Sequence, residues 1–117
     1  MCSSIVVRHC HTTRYDLNVE DVTELLWDDH NQAHIARHDV TAAEVTSLIF
    51  GPGPLLVVIS DEHRVGRREF YGRTEGGRYL LAVTDAPTST GLAYVVTARP
   101  LSDRERRAFE ERVKNDG

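Results

Sequence analysis

Apolar and polar positions change period partway along this chain, and the change separates a helical part from a strand-rich part. Between Trp27 and Phe50, Ala33, Ile35 and Ala36 keep the chain helical with small apolar contacts, and Val45, Leu48 and Ile49 follow at steps that suit a helix face. Asp28 or Asp29 supplies an N-cap there, because a short carboxylate accepts the free amide hydrogens of a first turn. Thr41-Ala42-Ala43-Glu44 is a capping box, in which the threonine and the glutamate each satisfy the other's backbone amide. The pattern therefore predicts helices over Asp28–Arg37 and Ala42–Phe50, meeting at Asp39-Val40. Gly51-Pro52-Gly53-Pro54 stops the second helix, since proline cannot continue it. Just upstream, Val19, Val22, Leu25 and Leu26 predict a short helix or turn at Val19–Thr23 and then a strand at Glu24–Trp27. The Trp27 ring is placed to anchor the first helix to a core.

From Leu55 onward the pattern turns to strands. Leu55-Leu56-Val57-Val58-Ile59 is a continuous apolar run, the mark of a buried strand. Asp61–Arg67 reads as a polar loop. Arg68–Arg73 and Tyr79–Thr84 flank Glu75-Gly76-Gly77 and make the clearest hairpin in the chain. A loop at Asp85–Gly91 leads to a strand at Leu92–Ala98, which Pro100 closes. Ser102-Asp103-Arg104-Glu105 is a second capping box, and it launches a final helix to about Lys114 with Phe109 and Val113 on its apolar side. The expected fold class is α+β, with an antiparallel meander sheet of three to five strands, two N-terminal helices and a C-terminal helix, gathered to one side. Ile5-Val6-Val7 near the start reads either as an extra edge strand or as a loose tail, so residues 1–17 are set apart from a core of residues 24–114.

Composition narrows the class. The chain has 117 residues, enough for one domain with a real core, and 40% of them are apolar. No run approaches the length of a membrane span, and the start lacks the basic-then-apolar layout of a signal peptide, so no membrane partner and a cytoplasmic location are expected. Cys2 and Cys10 offer no disulfide framework. The net charge of −4 is unevenly spread. Asp16 to Glu44 carries eight acidic residues against Arg37 alone, whereas Arg64 to Arg112 carries ten arginines against seven acids. Arginine suits planar phosphate or carboxylate contacts better than lysine does. The overall acidity argues against strong nonspecific binding to nucleic acid.

Two histidine groups invite a metal reading, and neither has good geometry for it. His9-Cys10-His11 are adjacent and point apart, whereas structural zinc sites use separated pairs. His30, His34 and His38 fall four apart, but three turns of one straight helix seldom supply three ligands to one ion. No metal and no cofactor are expected.

Trp27-Asp28, Asn31, His34, His38 and Val40 together resemble the opening motif of the BrnT family of bacterial toxins. Gly72-Arg73-Thr74, Gly77-Arg78 before an apolar strand, and Ala98-Arg99-Pro100 followed by Glu105-Arg106 are similar to that family's later motifs. The resemblance runs from about Leu25 to Glu111 with its segments in order, although Asp39 stands where the family usually has glycine. It implies a RelE-like fold, a ribonuclease that needs no metal, and a cognate BrnA-like antitoxin as partner.

The residue types on offer fit such chemistry. Cutting RNA without a metal requires the 2′-hydroxyl deprotonated, the pentacoordinate phosphorus stabilised and the leaving 5′-oxygen protonated. Histidine, and then glutamate or tyrosine with shifted pKa values, can move the protons, and arginine can hold the charge. The catalytic candidates are Arg99, Arg73, His38 and His34, and the substrate-binding candidates are Arg78, Tyr71, Glu75 and Arg106. Each has a purely structural alternative. Arg99 reads equally as the partner of Asp103 or Glu105, Arg73 and Arg78 as cross-strand partners of Glu69 or Glu75, and Arg106 as solvated helix surface. His34 reads equally as a hydrogen-bonded core histidine, His38 as a partner of the helix dipole, and Tyr71 as a sheet aromatic. A noncatalytic binding module of the same shape is the competing function class.

Overall fold

The computed structural model describes residues 3–8, 22–60 and 66–116. Its elements run β1 (Ser3–Arg8), β2 (Glu24–Leu26), α1 (Asp29–Ala36), α2 (Ala42–Phe50), β3 (Leu55–Ser60), β4 (Arg67–Arg73), β5 (Tyr79–Thr84), β6 (Leu92–Pro100) and α3 (Asp103–Asp116). The turn expected at Val19–Thr23, the His9-Cys10-His11 group and the Asp61–Arg67 loop lie wholly or largely outside the described residues.

The α+β class holds, and the sheet differs from a pure antiparallel meander. Six strands lie in the order β1-β3-β4-β5-β6-β2. β3 to β6 form the meander, and β1 extends it antiparallel, pairing Ser3 with Ser60 through to Arg8 with Leu55. Ile5-Val6-Val7 is thus in an edge strand. At the opposite edge β2 runs parallel to β6, with Glu24 opposite Leu92 and Leu26 opposite Tyr94, so the sheet is mixed. No hairpin joins β2 to β6. Only a hairpin forces antiparallel pairing, and the long path through α1, α2 and the meander leaves the direction of β2 to packing.

The helices do not gather on one side either. Alternate residues of a strand face opposite ways, so the register sorts the side chains into two faces. Leu55, Val57, Phe70, Leu80, Ala82 and Ala98 form a sealed cluster with Ile35 of α1, Val40, and Val45, Leu48 and Ile49 of α2. Gly72 lets α2 sit this close, because a Cβ there would stand 2.8 Å from the Pro54 carbonyl oxygen and 3.1 Å from Leu48 Cδ1. The opposite face carries Leu56, Tyr71 and Tyr79, and α3 lies against it, with the Phe109 ring edge-on to Tyr79 at 6.1 Å. The two hydrophobic stripes of this chain therefore serve opposite faces of one sheet.

The capping signals hold residue by residue. Asp28 caps α1, accepting from Asn31 N at 2.8 Å while Asn31 Oδ1 accepts from Asp28 N at 2.9 Å. Thr41 and Glu44 form the box that starts α2. Between the two helices Asp39 adopts φ 62°, the left-handed conformation that favours glycine.

Candidate functional site

Two cross-strand rows on the α3 side hold most of the chemistry-bearing side chains. One row runs Leu56, Tyr71, Leu81, Arg99, and the next runs Val58, Glu69, Val83, Thr97. Arg73 faces Tyr79 at the end of the same face. Arg99 of β6 thus shares one surface with Tyr71 and Arg73 of β4, and α3 brings Arg106 onto it.

Arg99 is engaged there. Its Nη1 and Nη2 donate to the two oxygens of Glu105 at 2.8 and 2.7 Å, a bidentate pair near the start of α3. The same Glu105 Oε1 accepts from Ser102 N at 2.9 Å, and Ser102 Oγ accepts from Glu105 N at 3.2 Å, which completes the expected capping box. The Arg99 hydrogen bonds, followed by the Ser102 amide, pull the Glu105 carboxyl down to about 2, so it stays ionised at neutral pH. The Glu105 hydrogen bond in turn raises Arg99. Of the structural alternatives open to Arg99, the Glu105 pairing is the one realised.

Tyr71 is pushed up to about 12, first by burial and then by the charge of Glu69, whose Oε1 accepts its hydroxyl hydrogen at 3.1 Å. It remains a phenol across the physiological range. Tyr71 can therefore donate a hydrogen bond but cannot serve as a base at neutral pH. Tyr79, which the sequence reading passed over, is the hub of the neighbouring cluster. Its hydroxyl donates to Glu110 Oε2 at 2.8 Å, and the guanidinium groups of Arg106 and Arg73 lie 4.6 and 5.9 Å from its ring centre. The Tyr79 hydrogen bond lowers the Glu110 carboxyl. Two clefts of about 320 and 210 Å³ open between α3 and the sheet, the larger floored by Leu56, Val58 and Tyr71 and roofed by Ala108 and Phe109.

One histidine reaches this region from α1. β2 pairs with β6 only as far as Tyr94, and α1 packs against the later residues of β6. Asn31 fixes that arrangement. It is fully buried, and its Nδ2 donates to Leu26 O at 2.9 Å and to Val95 O at 3.1 Å. One turn on, His34 Nε2 shares a 3.0 Å hydrogen bond with Thr97 Oγ1, two residues before Arg99. His38 is exposed, with its ring 5.6 Å from that of His34 in an edge-on arrangement. His30 is exposed as well. Among the described residues there is no group of three or more His, Cys, Asp or Glu side chains able to hold a metal ion.

Arg78 and Glu75 stand apart from this surface. Arg78 Nη1 donates to the Asp39 carbonyl at 2.7 Å and to Glu44 at 2.9 and 3.0 Å, which ties the hairpin to the corner between α1 and α2. The Arg78 hydrogen bond holds the Glu44 carboxyl below its usual range. Glu75 lends only its backbone amide, to Ser47 Oγ at 2.9 Å, and its side chain is exposed. Both belong to a clamp between hairpin and helix. Arg78 does not pair across the hairpin as the sequence allowed, because Glu44 and the Asp39 carbonyl hold its guanidinium.

Glu69, Tyr79, Thr97, Glu105 and Glu110 complete the surface and were not singled out as site residues. Only the strand register could reveal the first three. Among the described residues, no helix is long and apolar enough to cross a membrane. No protein-family model, curated protein or solved structure matches this chain.

Proposed function

We propose that this chain is a metal-independent endoribonuclease on a RelE-like frame, the toxin half of a bacterial type II toxin–antitoxin pair. The observation that carries the reading is the gathering of Arg73, Tyr71, Arg99 and Arg106 from three elements onto one sheet face, with His34 held beside it through Thr97. The motif order that resembles the BrnT family adds support, since its segments fall in and around α1, on the hairpin, and on β6 with the start of α3.

On this reading the RNA backbone crosses the exposed end of the row. His34 takes the 2′-hydroxyl proton, and the 2′-oxygen attacks phosphorus. The bond to the 5′-oxygen breaks, leaving a 2′,3′-cyclic phosphate, and protonated His38 supplies the proton to that oxygen. Arg99 and Arg73 hold the charge that builds on the nonbridging oxygens, and the Tyr71 phenol, on turning its one hydrogen from Glu69, adds a hydrogen bond. The cognate antitoxin, BrnA-like in the resemblance, neutralises the toxin by covering this face.

Induced expression of the wild type beside Arg99→Ala and His38→Ala, with total RNA examined for cleavage, tests the proposal. The wild type is expected to arrest growth and degrade RNA. Each substitution should lower cleavage about 100-fold or more in a protein that still folds. Intact RNA with a folded wild type favours the second reading, a noncatalytic binding module. One specific feature speaks for that module, namely that the Arg99 fork is already filled by Glu105.

A further inference from the structure

The Glu105 carboxylate rests in a seat of three donors. Two come from the planar Arg99 guanidinium, at 2.8 and 2.7 Å, and the third is the Ser102 backbone amide at 2.9 Å. A guanidinium fork with a backbone N–H beside it suits any group that presents two coplanar oxygens, and a phosphodiester does so as well as a carboxylate. The seat is reachable from solvent, since the side chains of Arg99 and Glu105 are 40% and 32% exposed. Its neighbours are the other phosphate-compatible groups of the face, Tyr71 in the same cross-strand row and Arg73 one step along β4.

What fills the seat also starts a helix. Glu105 closes the capping box three residues after Ser102, so the carboxylate that occupies Arg99 is also the one that accepts the Ser102 amide at the start of α3. Farther along, α3 meets the sheet through Phe109 and Arg106 against the Tyr79 ring and through Glu110 on the Tyr79 hydroxyl. Partly exposed polar contacts of this kind are screened by salt and stand in competition with other charges that reach them.

We infer that the Arg99 fork is an oxyanion subsite for a backbone phosphate of single-stranded RNA, and that Glu105 is its built-in competitor, which the first turn of α3 must withdraw before a phosphate is held. The choice of an RNA phosphate rests on the nuclease reading above, whereas the competition for the seat does not. In effect the chain carries its own carboxylate analogue of the ligand, and occupancy of the seat couples substrate binding to the hold of α3 on the sheet.

The informative variant is Glu105→Gln, because glutamine serves the same capping position while it removes the charge that neutralises Arg99. Its partner is the double variant Arg99→Ala with Glu105→Gln. Binding of a labelled, uncleavable 2′-O-methyl RNA is measured by fluorescence anisotropy at low salt, and binding of inorganic phosphate by NMR titration. Glu105→Gln is expected to bind both probes roughly fivefold more tightly than the wild type, the factor that corresponds to an exposed ion pair of about 1 kcal/mol. The double variant should lose that gain. Equal affinities in wild type and Glu105→Gln, or a gain that survives loss of Arg99, overturn the inference. The two proposals fail separately. A wild type that cleaves RNA while Glu105→Gln binds no tighter removes the competitor and leaves the nuclease. Tighter phosphate binding by Glu105→Gln, with no cleavage by any variant, keeps the subsite and removes the nuclease.

Discussion

The two faces of the sheet are built from different physics. Under α1 and α2, Leu55, Val57, Phe70, Leu80, Ala82 and Ala98 are sealed, and the buried Asn31 has every hydrogen-bonding group satisfied. Under α3, Phe109, Leu81 and Val83 are buried but Tyr71 and Tyr79 only half so, clefts stay open beside them, and charged and hydroxyl side chains add to the hold on the helix. Burial of a large apolar side chain stabilises by about 1.5–3 kcal/mol, whereas an exposed ion pair contributes about 0–1 kcal/mol. The first face therefore holds the domain together. The second rests on fewer sealed contacts, so local opening there should cost less than opening the first.

A matched pair of truncations gives the largest separation between the faces. Phe70→Ala, at a fully buried position, should cost about 3–5 kcal/mol in urea unfolding. Tyr79→Ala on the α3 side loses an edge-on aromatic contact and a surface hydrogen bond, and about 1–2 kcal/mol is expected. Equal losses would break the comparison. Next in size is Asn31→Ala, which strands the buried acceptor Val95 O, loses the part-buried bond to Leu26 O and removes half of the α1 capping box. About 2–3 kcal/mol is expected from the same measurement. A loss below 1 kcal/mol would mean that water replaces the amide and that the edge at β2 is looser than the core beside it.

How much of this was legible follows from the range of each interaction. Asp28, Thr41 and Ser102 announce three helix starts, because capping couples residues only three apart. The hairpin from β4 to β5 is equally local. The parallel seat of β2, the second face under α3 and the Glu44 partner of Arg78 depend on contacts that span much of the chain, and no spacing rule carries them. Arg99 with Glu105 falls between these cases. Both Asp103 and Glu105 were open as partners, and the structure realises Glu105. Asp39 was legible as a departure whose cost the backbone now explains. At φ 62° a β-branched residue is disfavoured, so Asp39→Ile should lose about 1–2 kcal/mol while Asp39→Gly loses nothing. Thermal unfolding of the two variants side by side decides it, and equal melting points would mean the corner relaxes out of the left-handed region.

The smallest effect concerns the α3 face alone, and its sign is fixed by linkage. Glu105 is lowered from the usual 4.5 to about 2 by Arg99 and Ser102. A carboxyl whose folded value lies below its unfolded value adds stability that is fully present above the unfolded pKa, and loses it as pH falls through the folded one. The wild type should therefore lose this contribution between about pH 4.5 and pH 2. Glu44 and Glu110 are lowered as well, so part of the acid slope belongs to them. Glu105→Gln isolates the remainder, since it keeps the cap and cannot titrate. Because the pair is partly exposed and screened, the difference in unfolding free energy between the two proteins should be about 1 kcal/mol or less at pH 6 and should vanish by pH 2. High salt should shrink it further. A gap that persists at pH 2 would place the contribution of Glu105 in packing rather than charge, and the α3 face would then resemble the sealed one more closely than its exposed arginines suggest.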